Sequence, residues 1–237
     1  MITTNPFSEL AAYIPSIAMQ IYIVLMFVLV LGGTILDTIH KKSAKYFFEN
    51  ADKAKKSATR SVGAGEKASM AIKTVANEVL TSGEFSNPKR RISHLFTMYG
   101  FILFVATTAI MIFGYLPPVD STPVILPLLW HLGAAMLCFG GYWFWFSIRV
   151  DVKSEGAKWY KLVNADWFIV SLLATCTFAL IWSFLQSVGA SLLSDLFFIF
   201  FIIAATTLFA GVYFSKFAHM FFKPAAAYQK RTTVADG

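Results

Sequence analysis

Five apolar runs constrain this chain more than any other feature: roughly Ile14 to Leu36, Leu95 to Leu116, Val124 to Ile148, Trp167 to Val188, and Leu196 to Phe222. Each is long enough to cross a hydrocarbon core, which takes about 20 helical residues. The rest of the composition agrees. Of the 237 residues 57% are hydrophobic, 24 are Phe and only 14% are charged, whereas about a quarter of an ordinary globular chain is charged. The expected fold is an all-α integral membrane protein, a bundle of five transmembrane helices. Pro15 and Pro127 fall in the first turns of the first and third helices, where a missing N–H costs little.

The charges orient the bundle. Of the 20 Lys and Arg residues, 12 lie between Lys41 and Arg91, four between Arg149 and Lys161, and four from Lys216 to Arg231. None remains for the other face, so the positive-inside rule predicts an N-terminus outside and a C-terminus in the cytoplasm. The first 40 residues contain no Lys or Arg, so the first run reads as a retained helix rather than a cleaved leader. The chain then divides into a tail with the first span (1–36), a basic cytoplasmic loop (37–93), a four-helix core (94–222) and a cytoplasmic tail (223–237). Within the loop, Ile72, Val75 and Val79 recur at helical spacing opposite Lys73 and Glu78. That pattern predicts an amphipathic helix from about Glu66 to Leu80, lying on anionic lipid or docking a soluble partner. No aromatic stacking platform accompanies the cations, which argues against nucleic acid.

Several chemistries lack their residues. Cys138 and Cys176 lie inside apolar runs, far from any Cys-x-x-Cys spacing, so neither an iron–sulfur cluster nor a disulfide framework has its ligands. No phosphate loop and no His-Glu-x-x-His is present. The informative residues are the four histidines, His40, His94, His131 and His219. His94 opens the second span, and His219 falls in the last turns of the fifth as it returns to the same side. A b-type haem needs two imidazoles at matched depth, an apolar slot, and cations for its propionates. His94 and His219 meet that pattern as iron ligands. Arg90 and Arg91 precede His94 by four and three residues, and Lys216 and Lys223 flank His219, so on continuous helices these cations share the histidine faces. His40 reads as an interfacial residue and a reserve ligand. His131 lies deeper, about 10 Å below the outer surface at 1.5 Å per residue. Three roles are open to it: a hydrogen bond to a neighbouring helix, a contact to a quinone, or a second haem with Met111 or Met19 as the other ligand.

The run Arg-Arg-Ile-Ser-His94-Leu-Phe-Thr-Met-Tyr-Gly-Phe and the closing Phe-Ser-Lys-Phe-Ala-His219-Met-Phe-Phe-Lys-Pro, on five helices, resemble the cytochrome b gamma subunit of respiratory nitrate reductase and its relatives. The segment from Trp143 to Gly156 and the small size look most like the membrane anchor associated with adenylylsulfate reductase, or the membrane part of the quinone-interacting complex that serves it. The resemblance implies an inner haem held by His94 and His219. The family's outer haem has no matching ligands, because Phe104 and Phe201 stand at those places. It further implies electron exchange between quinone and a soluble cytoplasmic flavin/iron–sulfur oxidoreductase, at the cytoplasmic membrane of a bacterium or archaeon. The competing expectation is a cofactor-free anchor that tethers a soluble enzyme. A transporter ranks third, since charged residues are almost absent from the spans and no paired Gly/Pro-broken helices are evident.

Overall fold

The computed structural model describes residues 2–40, 49–50, 52–53, 56, 62–83, 85–117, 121–149, 160, 162–163, 166–214 and 219–236, with the side chains of 213–214, 219–223 and 236 outside the description. The described residues are helical or lie in turns and irregular connections, with no strand among them. Five helices are long and apolar enough to span a membrane: α2 (Ser16–His40), α4 (Pro88–Gly114), α5 (Ile125–Trp143, continued by a π-turn Phe144–Arg149), α6 (Trp167–Ser187) and α7 (Ser191–Ala210). Three further helices are α1 (Pro6–Leu10), α3 (Ala64–Thr74, continued by a π-turn Val75–Leu80) and α8 (His219–Asp236). In hydrocarbon every backbone polar group needs a partner within the span, and a helix supplies it.

Each span packs on the next, α4 on α5, α5 on α6 and α6 on α7, and α2 closes the ring by touching both α7 and α4. The α4–α5 contact is the tightest because glycines let the backbones approach. A Cβ added at Gly133 would stand 2.7 Å from the Phe104 amide nitrogen, and one at Gly140 would stand 2.7 Å from the Ser93 carbonyl oxygen. Ser93 uses that closeness to donate to the Gly140 carbonyl at 2.8 Å. Inside the ring Trp130 and Trp182 are fully buried and, with Phe104 and Phe201, form a continuous aromatic core. The α6–α7 connection is a tight turn in which Gly189 adopts φ 75°.

Residues 1–36 contain more than a tail and a span. Asn5 caps α1 by accepting from the Phe7 amide, and its side-chain amide donates to the Tyr115 carbonyl and to Thr122, both at 3.2 Å. Gln186 at the end of α6 donates to the Pro6 carbonyl at 3.0 Å. These bonds lay Phe7 across the indoles of Trp130 and Trp182, with ring centroids 5.9 and 5.4 Å apart. Helix α1 thus plugs the end of the bundle opposite His94.

The other end carries the polar helices. α3 and its π-turn occupy the place where the sequence predicts an amphipathic helix, and they pack against α8. Arg231 joins them, bonding Glu78 at 2.8 Å and Thr74 at 3.2 Å. Ile72, Val75 and Leu80 stay exposed.

The fifth span differs from its expected extent. α7 ends at Ala210, a 3-10 turn follows over Gly211–Phe214, and His219 opens the separate helix α8. Gly211 favours the break, since glycine forgoes about 1 kcal/mol of helix propensity relative to alanine. α8 continues through Pro224 to Asp236, so this proline does not end the helix. His219 is therefore not on the face of a continuous fifth span.

Candidate functional site

Helices α4 and α7 face each other across the ring. Phe104 meets Phe201 nearly at right angles with centroids 6.4 Å apart, and Phe101 meets Phe209 at 6.3 Å. Between them lies a cavity of about 50 Å³ lined by Tyr22, Phe101, Val105, Thr108, Ala205 and Leu208 among others. Its wall is apolar because each hydroxyl turns elsewhere. Thr108 donates to the Phe104 carbonyl, Thr175 donates to the Ser171 carbonyl, and Tyr22 bonds Thr206 at 3.0 Å.

His94 belongs to this cleft by register. Phe101, Val105 and Thr108 follow it by 7, 11 and 14 residues, spacings that put all four on one face of α4. The ring is held from the connecting segment before α4. Its Nδ1 lies 2.9 Å from Ser82 Oγ, and Phe85 packs against it with centroids 5.0 Å apart. When Nδ1 donates to Ser82, the lone pair resides on Nε2, which is how metal-binding imidazoles are commonly fixed. Ser82 is fully buried and adopts φ 50°, a left-handed conformation that costs a non-glycine residue about 1–2 kcal/mol. Two bonds to the residues just before it hold the segment there. Arg91 Nε donates to the Thr81 carbonyl, and Tyr99 donates to the Leu80 carbonyl, both at 2.7 Å. Asn87 caps α4 by accepting from the Lys89 amide at 2.9 Å.

The other expected site residues are distributed as follows. Arg90 is exposed at the start of α4, and Arg91 is drawn to Thr81. The backbones of His219 and Lys223 lie in the first turns of α8, but their side chains are outside the described residues, as is Lys216 altogether. His40 ends α2 and is exposed. His131 has both ring nitrogens engaged within the protein. Nδ1 lies 2.7 Å from the Pro127 carbonyl, to which it donates, and Nε2 lies 2.8 Å from Ser183 Oγ on α6. A quinone or an iron at His131 would have to displace Ser183.

Ser82, Phe85 and Tyr99 are absent from the expected set. The turn signal Thr81-Ser-Gly83 is visible in the sequence, but nothing there indicates that it folds back onto a histidine 12 residues later.

The donor set can be tested against a haem. His94 stands on an apolar face with its ring oriented, and Arg90 and Arg91 lie one turn away, which fits one axial ligand of a b-type haem. Phe104 and Phe201 stand at the places of the outer ligands, and packed with Trp130 and Trp182 they offer an iron no donor atom. Among the described residues no cluster of three or more His, Cys, Asp or Glu could hold a bare metal ion. Compared with protein-family models, with curated proteins and with solved structures, the chain matches none.

Proposed function

We propose that this chain is the membrane subunit of a quinone-linked oxidoreductase, exchanging electrons between the quinone pool and a soluble cytoplasmic enzyme through a single b-type haem. The observation that carries the reading is the oriented imidazole of His94, set by Ser82 at the head of an apolar face. His94 would be one axial ligand and His219 the other, while Arg90, Arg91 and Lys223 would neutralise the propionates. The haem supplies one-electron exchange when bound. The chain's own work is to fix the ring through Ser82, exclude water with the α4–α7 aromatic walls, and present a basic surface. That surface, built from loop 37–93 and α8, would dock the partner on the cytoplasmic side. The resemblance of the His94 and His219 segments makes a flavin/iron–sulfur enzyme such as adenylylsulfate reductase the partner to test first, in a bacterial or archaeal cytoplasmic membrane. His131 keeps a lesser part, since a quinone there competes with Ser183 for Nε2.

A second reading is favoured by a different observation. The cavity of about 50 Å³ is far below the roughly 300–1,000 Å³ of ordinary ligand pockets, and a core closed by aromatic rings suits a cofactor-free anchor. One experiment separates the two. A reduced-minus-oxidised spectrum of protein purified from haem-replete cells should show b-type Soret and alpha bands, and their absence assigns the chain to the anchor class. His94→Ala and His219→Ala should each abolish the bands. Ser82→Ala should keep them and shift the midpoint potential, because the ligand loses its orienting bond; an unshifted potential removes Ser82 from the site.

A further inference from the structure

The chain has two cysteines, 38 residues apart and on different spans, and the fold brings them together. Cys138 of α5 and Cys176 of α6 have their sulfurs 3.2 Å apart. Cys176 is buried, whereas Cys138 is partly open and lies beside the exposed side chains of Phe139 and Tyr142. One thiol is therefore reachable from the lipid and the second stands behind it, the arrangement of an attacking and a resolving cysteine. A polar path leads away from the pair. Cys138 Sγ is 3.7 Å from Thr177 Oγ1, and Thr177 is 2.9 Å from the hydroxyl of Tyr142. Tyr142 is one turn closer than Cys138 to Arg149 at the end of the span, so the path runs toward the headgroups.

We propose that Cys138 and Cys176 form a reversible dithiol–disulfide couple inside the membrane, oxidised by a lipid-soluble quinone. In the forward step two S–H bonds break and one S–S bond forms. Two electrons and two protons pass to the quinone, which leaves as quinol, so the step balances without another reactant. Cys138 meets the oxidant, and its proton is passed by way of Thr177 and Tyr142 to the quinone, which takes the second proton from Cys176. Cys176 then closes the bond. A dithiol reductant reverses the step. The couple stands apart from the haem reading, because neither cysteine touches the cleft at His94.

The test uses the full chain in vesicles of phosphatidylethanolamine and phosphatidylglycerol, fully reduced and then exposed to decylubiquinone. Unfolding in N-ethylmaleimide followed by mass spectrometry counts the remaining thiols. The expected result is loss of both maleimide additions after quinone, with recovery of both after dithiothreitol. Two additions after quinone overturn the proposal. If diamide closes the bond while the quinone does not, the quinone as oxidant is overturned, and a bond that dithiothreitol cannot reopen in the intact vesicle overturns reversibility. Tyr142→Phe should slow closure by about tenfold or more, the scale of losing a positioned proton carrier; an unchanged rate overturns the hydroxyl path. The Soret band is read in the same samples, so a missing haem and a failed thiol couple are distinct results.

Discussion

Asp166 immediately precedes α6, and Arg149 at the end of α5 holds it. Arg149 Nε donates to one carboxylate oxygen at 2.7 Å, a second guanidinium nitrogen pairs with the other oxygen, and the Val163 amide donates to that oxygen at 2.9 Å. The guanidinium also lies 4.3 Å from the Trp145 ring centre. The hydrogen bond from Arg149 lowers the Asp166 pKa, and burial opposes it more weakly. A lowered folded-state pKa stabilises above the ordinary aspartate range and loses that contribution as pH falls through the folded value. Asp166→Asn, which removes the carboxylate that Arg149 pairs with, should therefore cost about 1 kcal/mol at neutral pH. Thermal unfolding in detergent should show the gap to wild type closing below about pH 4; a gap constant from neutral to acid pH would refute the charge role. At this scale the sequence was partly legible. That His94 opens a span one turn after Arg90 and Arg91 could be read from spacing. The contacts Ser82–His94, Arg149–Asp166 and Cys138–Cys176 could not, because each joins helix ends or faces whose rotation about their axes hydropathy does not report.

Among elements, the α4–α5 pair carries the closest backbone approach. Gly133→Ala would press a methyl group onto the Phe104 amide and the Gly100 carbonyl, which lie 2.7 and 2.9 Å from the added carbon. Overpacking of this kind costs about 1–3 kcal/mol, so the variant should melt earlier. Gly32→Ala in α2 meets nothing within 4 Å and gains helix propensity, so it should not melt earlier. Equal melting of the two variants would remove the glycine seam as the source of the tight packing. The spans themselves were legible to within a few residues at three of five places, because length and apolarity decide membrane crossing. The helix of the second span begins at Pro88, seven residues before its apolar run, since the polar first turns carry no hydropathy signal. The fifth was misjudged for a physical reason. Gly211-Val-Tyr-Phe214 is still apolar, so hydropathy carries on to Phe222 while the helix stops at Ala210. The π-turns Val75–Leu80 and Phe144–Arg149 are invisible for a similar reason, since a 3.6-residue pattern over one turn does not distinguish them from α-helix.

For the molecule as a whole, the unequal distribution of cations makes a directional prediction. A fluorescent protein fused after Gly237 should fluoresce, and alkaline phosphatase at the same place should be inactive. Phosphatase fused after Gly189, between α6 and α7, should be active. The reverse pattern would turn the bundle over and put the His94 end outside, where no flavin or iron–sulfur enzyme of the cytoplasm could dock. The five-helix architecture was legible from the chain alone, but the way its far end is closed was not. Phe7 completes the aromatic core against Trp130 and Trp182, Leu10 is buried beside it in the chain, and Pro6 is tied to Gln186. During synthesis those partners emerge long after residues 5–10. The short helix must therefore wait at the membrane surface while α4, α5 and α6 are inserted, and its docking records that the later spans have arrived in their proper order.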